Sequence, residues 1–153
     1  YRIGVGIILI NEEKHVFVGK RLDVKGEAWQ MPQGGVAKGE NYEEAAYREL
    51  YEETGINKAD IIFKSKKWFK YDIPFNVKKK LWKGKYLGQK QKWFLMKFNG
   101  NEKTDINLNI GKAEFCDWKW ANFDDLVNLI VPFKKKMYEK IVKEFKDKIT
   151  YTT

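Results

Sequence analysis

At 153 residues, the chain has the length of one domain that is large enough to bury a hydrophobic core. Its hydrophobic content of 43% and aromatic content of 16% are typical of a globular protein and exclude a chain that is disordered by composition. A formal net charge of +9 favours anionic partners, and the lack of any run of about 18 apolar residues excludes a membrane-spanning segment, so no membrane partner is expected.

Five segments have the apolar runs or alternating patterns of β-strands. In chain order they are residues 2–10, 15–21, 61–73, 91–98 and 114–120. The first is a continuous apolar run, which predicts a buried strand, and the second is its predicted hairpin partner. Alternation in the last segment places Cys116 on the same face as Trp118 and Trp120. The opposite face is predicted to carry Phe115, Asp117 and Lys119, and the predicted loops are residues 22–28 and 99–113.

Three segments predict helices. Asn41 is the expected N-cap of the first, with Glu44 as its capping-box partner and Gly55 as its C-terminal stop. Residues 122–130 predict a short helix. The last helix is predicted to begin at Pro132 and to end near residue 148, with an apolar stripe of Phe133, Met137, Tyr138, Ile141, Val142, Phe145 and Ile149. Strands and helices in this order predict one α+β domain over residues 1–153, in which a mixed β-sheet lies between helices.

The single cysteine, Cys116, cannot form an internal disulfide, which indicates a reducing compartment and favours the cytoplasm. We expect Cys116 to be a small core residue on a strand. A role as nucleophile is disfavoured because the one histidine, His15, lies far away in the sequence, and we assign His15 no role.

Glutamates gather on one side of the first predicted helix, at about 100° per residue. They are Glu49, Glu52 and Glu53. Their mutual repulsion costs roughly a few tenths of a kcal/mol per pair on an isolated helix, and a divalent cation would turn that repulsion into attraction. Oxygen ligands of this kind suit Mg²⁺ or Mn²⁺. For such a helix taken alone, a solvated acidic face is the alternative interpretation.

The spacing around this helix matches every fixed position of the Nudix box. Gly34 is followed by Glu40 and then by RELYEETGI, which spans residues 48–56 and contains Gly55. The chain therefore resembles the Nudix hydrolases. This resemblance implies the Nudix fold and a pyrophosphohydrolase that cleaves nucleoside diphosphates linked to another group, using Mg²⁺ or Mn²⁺.

By motif position, the same resemblance implies that the metal ions are bound by Glu49, Glu52 and Glu53. Arg48 is expected to orient a carboxylate, with Glu40 as its partner. A backbone carbonyl at Gln33 or Gly34 would complete a coordination shell. Glu53 is the preferred candidate for metal ligand and general base together, although the sequence does not separate it from Glu52.

A basic and aromatic segment follows the box. Between residues 64 and 92 there are eleven lysines and one acid, Asp72, and aromatic residues recur from Trp68 to Trp93. Lysines neutralise phosphates by counterion release, and aromatic rings stack on unpaired bases. The segment therefore predicts a polyanion larger than a single nucleotide. The alternative is that the rings belong to the core and the lysines to a solvated rim, and we expect a mixture of the two.

Further segments extend the resemblance over nearly the whole chain: WQMPQGG, GQKQKWFL, EFCDWKW and VPFKKKMYEKIVKEF. Together they resemble the bacterial RNA pyrophosphohydrolases, a subfamily that includes enzymes described as dinucleoside polyphosphate hydrolases and invasion-associated proteins. The implied activity removes pyrophosphate from the 5′ end of triphosphorylated RNA, leaves a 5′-monophosphate and promotes mRNA decay.

This longer resemblance implies further site residues. Glu114 would be an acid outside the box that helps to hold metal or serves catalysis. Contacts with phosphates or the first nucleotides are implied for Arg2, Arg21, Tyr71, Gln89, Phe133 and Lys134. Phe133 would stack on a base, but it also begins the apolar stripe of the last helix and has a second interpretation as a core residue.

Three other functions stay open from the sequence. A diadenosine tetraphosphate or pentaphosphate hydrolase would keep the chemistry and change the substrate. A non-catalytic RNA-binding domain conflicts with a box in which every acid is present, and an enzyme that removes damaged triphosphates gives no reason for so many lysines. The expected partners are therefore 5′-triphosphorylated RNA or a nucleotide polyphosphate. No DNA partner is expected, and an activating protein partner stays unidentified.

Overall fold

The computed structural model describes residues 1–22, 28–78, 82–111 and 114–152. Its strands are β1 (Arg2–Ile10), β2 (Val16–Arg21), β3 (Trp29–Gln30), β4 (Gln33–Gly35), β5 (Ala59–Lys64), β6 (Phe69–Asp72), β7 (Gly88–Phe98) and β8 (Phe115–Ala121). Its α-helices are α1 (Tyr42–Thr54), α2 (Phe75–Lys78), α3 (Glu102–Asp105), α4 (Leu126–Leu129) and α5 (Lys135–Thr150). Single 3₁₀ turns are formed by Trp82–Gly84, Phe123–Asp125 and Pro132–Lys134. Most of the predicted loop at 22–28, the end of the predicted loop at 99–113, and Lys79 and Lys80 of the basic segment lie outside the described residues.

These eight strands form one mixed sheet. Its main path runs β3-β2-β1-β7-β5, and β4, β6 and β8 pair with β1, β7 and β2 respectively. β1 and β7 are parallel in a continuous register from Arg2 opposite Gln89 to Ile10 opposite Lys97, and the other pairs are antiparallel. The predicted hairpin of β1 and β2 is present, although these strands pair only where Ile10 meets Val16.

Helices cover both faces of the sheet. Ile8 and Ile10 of β1 pack in a core with α4 and α5, whereas Ile7 and Leu9 pack in a second core with α1. Because β1 is buried on both faces, its sequence is a continuous apolar run without alternation. The prediction of a mixed sheet between helices, and with it the α+β class, is confirmed. In the part of the chain that the structure describes, no helix is long and apolar enough to cross a membrane.

Both long helices begin and end near the predicted residues. The side chain of Asn41 accepts a hydrogen bond of 2.8 Å from the Glu44 N–H at the start of α1, and Gly55 ends the helix in the left-handed conformation at φ 74°. The apolar stripe of α5 is buried at Met137, Tyr138, Ile141, Phe145 and Ile149, whereas Phe133 and Val142 are half-buried. The caps of α1 are therefore local properties of the sequence.

The predicted strand at 61–73 is in fact two strands, β5 and β6. Both pair with β7, and the bend at 65–68 between them carries Lys66 and Lys67 into solvent. Ser65 fixes this bend, because its N–H donates to the carbonyl of Trp93 at 2.8 Å and its hydroxyl accepts from the Trp93 N–H at 3.0 Å. Two adjacent lysines are easily accommodated where the chain leaves the sheet.

The prediction that Cys116 is a core residue is wrong, because its side chain is exposed. The register of β2 and β8 shifts at this point, so that Lys20 pairs with Asp117 and Arg21 pairs with Phe115. This β-bulge removes one residue from the alternation. Phe115 consequently packs in the α1 core together with Trp118 and Trp120, and Cys116 faces solvent.

Candidate active site

A cavity of about 240 Å³ lies where α1, the sheet and the start of the last helix meet. It is lined by Arg2, Arg21, Gln33, Gly34, Gly35, Glu49, Tyr71, Gln89, Glu114, Phe133 and Lys134. The structure thus brings together every residue for which the sequence predicts a substrate contact, along with Glu49, Glu114 and Gln33. Arg48, Glu52 and Glu53 do not line the cavity and lie on α1 beside it.

Strand pairing explains why residues far apart in sequence meet here. Gln89 lies between Arg2 of β1 and Tyr71 of β6, its partners on either side. Arg21 pairs with Phe115, which follows Glu114, and the carbonyl of Glu114 accepts a hydrogen bond of 3.0 Å from the Leu22 N–H. Arg2, Arg21 and Lys134 bring positive charge to a cavity that Glu49 and Glu114 approach with negative charge, an arrangement suited to a polyanion bound together with cations.

Arg48 ties the Gly-rich strand β4 to helix α1. Its guanidinium donates hydrogen bonds to Glu40 Oε2 and Oε1 at 2.7 and 2.9 Å, Glu49 Oε1 at 2.8 Å, Glu52 Oε2 at 3.2 Å and the Gly35 carbonyl at 2.9 Å. The expected contact between Arg48 and Glu40 is present, and it is bidentate. The guanidinium lowers the pKa of the Glu40 carboxyl to about 2.

Glu53 is the most enclosed acid of the box, at 2% exposed, and Glu49 is 3% exposed. Burial raises the pKa of Glu53 well above its usual value, and the nearby carboxylates of Glu114 and Glu49 raise it further. The Gln33 N–H donates a long hydrogen bond of 3.4 Å to Glu53 Oε2. Glu53 therefore lies within electrostatic range of two other carboxylates, next to Gln33 at the start of β4.

These acids have the donor chemistry that a hard divalent cation requires. A Cβ atom at Gly34 would lie 2.0 Å from the carboxyl carbon of Glu49, so glycine leaves the space that this carboxylate occupies. Among the residues described, no three acidic, histidine or cysteine side chains already stand close enough together to hold a metal ion, and Arg48 engages both Glu49 and Glu52. The fit to a divalent cation thus rests on the oxygen donors and their repulsion.

A chain of hydrogen bonds orients a glutamine amide at the cavity wall. The indole N–H of Trp93 donates to Gln91 Oε1 at 3.0 Å, which leaves the Gln91 amide nitrogen to donate to Gln33 Oε1 at 3.1 Å and to Gln89 Oε1. The side-chain oxygen of Gln89 is therefore engaged. Its amide nitrogen is the one buried side-chain polar atom of the described residues that lacks a hydrogen-bond partner. A buried donor of this kind is costly unless a ligand oxygen accepts from it.

Lys134 is a buried cation, at 3% exposed. Its ammonium donates to Gln30 Oε1 at 3.2 Å and lies 4.9 Å from the ring centroid of Tyr71. Phe133 packs against Tyr71 with ring centroids 5.9 Å apart and is half-buried, so it is partly a core residue and partly a wall of the cavity. Gln30 and Gln91 were assigned no role from the sequence, although both lie in segments that carry the family resemblance, because their partners are distant in the chain.

Comparisons with known proteins agree with this geometry. Residues 1–141 match the family model described as NUDIX domain. The RNA pyrophosphohydrolase of Rickettsia rickettsii (strain Sheila Smith) is 51% identical over 149 residues, which cover 97% of this chain and 92% of that protein. The RNA pyrophosphohydrolase of Rickettsia prowazekii (strain Madrid E) is 50% identical over the same shares of both chains.

Solved structures share the fold at much lower identity. The E. coli dihydroneopterin triphosphate pyrophosphohydrolase has a TM-score of 0.72 at 20% identity, over 93% of this chain and 95% of that one. A C. elegans Ap4A hydrolase binary complex has a TM-score of 0.67 at 20% identity, over 96% and 99%. From its Nudix box, its fold and these relatives, the chain belongs to the NUDIX domain family.

Proposed function

We propose that this NUDIX enzyme is an RNA pyrophosphohydrolase, which removes pyrophosphate from the 5′ end of triphosphorylated RNA and leaves a 5′-monophosphate that promotes mRNA decay. The observation that carries this proposal is the cavity, where Arg2, Arg21 and Lys134 face the acids of the box and the Gln89 amide lacks an acceptor. A polyphosphate supplies both negative charge and acceptor oxygens. Relatives about half identical to this chain bear the name RNA pyrophosphohydrolase, which favours RNA as the substrate.

The proposed cofactor is Mg²⁺, and Mn²⁺ is expected to support activity as well. The proposed ligands are Glu49, Glu52, Glu53, Glu114 and the backbone carbonyl of Gln33. A bound divalent ion supplies charge neutralisation and a more acidic water. The donor set supports this assignment, because buried carboxylates that repel one another gain stability from a cation between them.

In the proposed mechanism, Glu53 accepts the proton of the attacking water. The Gln33 N–H donates a hydrogen bond to Oε2 of the same carboxylate and orients it. The water oxygen forms a bond to a phosphorus of the triphosphate, the bond from that phosphorus to a bridging oxygen breaks, and pyrophosphate leaves. Arg2, Arg21 and Lys134 stabilise the negative charge of the transition state, and Arg48 keeps the Glu40 and Glu49 carboxylates in place. We place this activity in the cytoplasm.

A direct comparison of substrates tests the proposal. In Mg²⁺, kcat/KM is measured for a short 5′-triphosphorylated RNA and for diadenosine tetraphosphate and pentaphosphate, with the Glu53→Gln protein as the blank. We expect a higher kcat/KM for the RNA, with RNA 5′-monophosphate and pyrophosphate as products. A higher value for the dinucleotides would assign the enzyme to dinucleoside polyphosphate hydrolysis. RNA binding without phosphate release, also in Mn²⁺, would indicate a non-catalytic RNA-binding domain.

Trp93→Phe tests the orientation of the Gln89 amide. The phenyl ring cannot donate to Gln91, so the amides of Gln91 and Gln89 lose their fixed direction. The loss of one oriented hydrogen bond, about 1 kcal/mol, predicts that KM for RNA rises about fivefold while kcat changes little. Tyr138→Phe is the matched control, because it removes a hydroxyl that accepts from the Met31 N–H in the same core and lies outside the glutamine chain. An equal rise of KM in both variants would show a general packing effect.

A further inference from the structure

A second aromatic site lies outside the cavity, at the bend between β5 and β6. Trp68 is 38% exposed there, and Tyr42, the first residue of α1, packs its ring against it at 5.7 Å and 85°. The ammonium groups of Lys90 and Lys92 lie 4.8 and 4.6 Å from the Trp68 ring centroid. We call these four residues the Trp68 platform.

The platform is held by the sheet. Ser65, at the start of the bend, is bonded in both directions to the backbone of Trp93, and the Lys92 ammonium donates to the carbonyl of Lys66. Tyr42 is fixed at the start of a capped helix. A tryptophan that is fixed in position and still exposed can bind a flat partner without losing much side-chain freedom.

The charge around the platform is positive. Six lysines surround it on the bend, β5, β6 and β7: Lys64, Lys66, Lys67, Lys70, Lys90 and Lys92. Asp72 is the one acid between residues 64 and 92, and Glu43 and Glu144 reach in from α1 and α5 to pair with Lys64 at 3.1 Å and Lys67 at 3.5 Å. Lysines thus outnumber carboxylates by six to three, which favours a polyanion over a neutral or basic partner.

The platform adjoins the cavity through the sheet. Lys90 and Lys92 follow Gln89 by one and three residues, which is roughly 3 to 10 Å along the strand. Lys70 of β6 pairs with Lys90 and precedes Tyr71. The ammonium of Lys70 lies 5.2 Å from the ring centroid of Tyr1, which precedes Arg2. Because side chains alternate along a strand, Lys90 and Lys92 project to the face of the sheet that carries α1, whereas Gln89 projects with Trp93 to the opposite face. An RNA strand that occupies both the cavity and the platform therefore passes around the edge of the sheet near Tyr1 and Lys70, a path longer than the spacing along β7.

We propose that the Trp68 platform binds the single-stranded RNA that continues from the 5′ end held in the cavity. An unpaired base stacks on Trp68, and Lys90 and Lys92 contact the flanking phosphates. Exposed aromatic rings within a basic groove bind single strands without reading their sequence, as a decay enzyme that acts on many transcripts requires. This proposal rests on the proposed function, and it makes the enzyme sensitive to the length of its RNA substrate.

The test combines two RNA lengths with Trp68→Ala. For a single-stranded 5′-triphosphorylated RNA of twelve nucleotides, we expect the variant to raise KM about tenfold with kcat unchanged. For a triphosphorylated dinucleotide, which does not reach the platform, we expect KM to stay at the wild-type value. The control is Tyr151→Ala, which removes another aromatic ring, 81% exposed, at the far end of α5. This variant should leave the KM for both RNAs unchanged. A KM for the longer RNA that stays at the wild-type value would overturn the proposal, as would an equal rise for both RNAs.

A binding measurement separates this proposal from the proposed function. The probe is a fluorescent twelve-nucleotide RNA with a 5′-hydroxyl group, which cannot be hydrolysed, and its Kd is measured by anisotropy at several salt concentrations. We expect a higher Kd for Trp68→Ala, and for Lys90→Gln we expect a Kd that depends less steeply on salt concentration. If the wild-type protein cleaves only dinucleoside polyphosphates but binds this RNA through Trp68, the proposed function is wrong and the proposal of an RNA-binding platform is supported. If Trp68→Ala cleaves and binds RNA like the wild type, the platform is wrong, and the surface is then free for a protein partner.

Discussion

Glu53→Gln is expected to lower kcat by about 10²- to 10⁴-fold, because the amide has nearly the same shape and cannot accept the proton of the attacking water. The side chain is buried beside Glu49 and Glu114, where no solvent base can easily replace it. Initial rates on triphosphorylated RNA in saturating Mg²⁺ measure the loss. Turnover within a few-fold of the wild type would exclude Glu53 as the base.

Stability is expected to move in the opposite direction. The pKa of Glu53 is raised in the folded state, so the folded state binds this proton more tightly than the unfolded state, and the shift lowers the stability of the fold at pH values above the unfolded pKa. Replacing Glu53 with glutamine removes that penalty, and the Tm of the metal-free variant should equal or exceed the wild-type Tm. Added Mg²⁺ should raise the wild-type Tm by more than that of the variant, because a ligand has been lost.

Glu44→Gln is the matched control for these measurements. It makes the same change of charge on the same helix, and Glu44 is exposed. Its Tm, its response to Mg²⁺ and its kcat should all stay near the wild-type values. A loss of activity in Glu44→Gln as large as that in Glu53→Gln would mean that the net charge of α1, and not the position of Glu53, is what matters.

Local signals made the first helix and its acids predictable. Asn41, Glu44 and Gly55 act within one turn of either end of α1, and glutamates three and four residues apart share a helix face wherever the helix lies. The gathering of Arg2, Tyr71 and Gln89 was predicted differently, through resemblance to a family. No local pattern could place them together, because their contacts depend on the pairing of three strands.

Features set by distant pairing escaped prediction. Cys116 is exposed because the register of β8 shifts against β2, and nothing in the alternation of EFCDWKW indicates that shift. The bond from Gln91 to Gln33 spans 58 residues, and the bond from Lys134 to Gln30 spans 104. A polar side chain inside a strand is interpreted as an exposed position unless its distant partner is known, so Gln30 and Gln91, which contact the residues of the cavity wall, were missed.

Arg48→Lys is expected to lower kcat/KM at least tenfold and the free energy of unfolding by about 2 kcal/mol, although it keeps the charge. The guanidinium contacts three carboxylates and the Gly35 carbonyl, and an ammonium group with three donors cannot reach all of them. Glu49, buried beside the cavity, then loses a close partner. Urea unfolding and steady-state kinetics measure the two effects, and a variant with wild-type values in both would contradict the role of Arg48 as the link between β4 and α1.

The dependence on pH identifies the Glu40 contact within that effect. Arg48 lowers the pKa of Glu40 to about 2, below its usual value of 4.5, so the pair stabilises the fold above pH 4.5 and this stabilisation is lost as the pH falls toward 2. Since the carboxylate is partly solvated, we expect the contribution to be about 1 to 2 kcal/mol. In Arg48→Lys the pKa of Glu40 should return toward its usual value, and the difference in unfolding free energy from the wild type should shrink between pH 7 and pH 3. The unfolding free energy of Glu40→Gln should converge with that of the wild type over the same pH range, because this variant removes the titrating group. If instead the difference between Arg48→Lys and the wild type is constant from pH 7 to pH 3, the lost stability comes from the other contacts of Arg48.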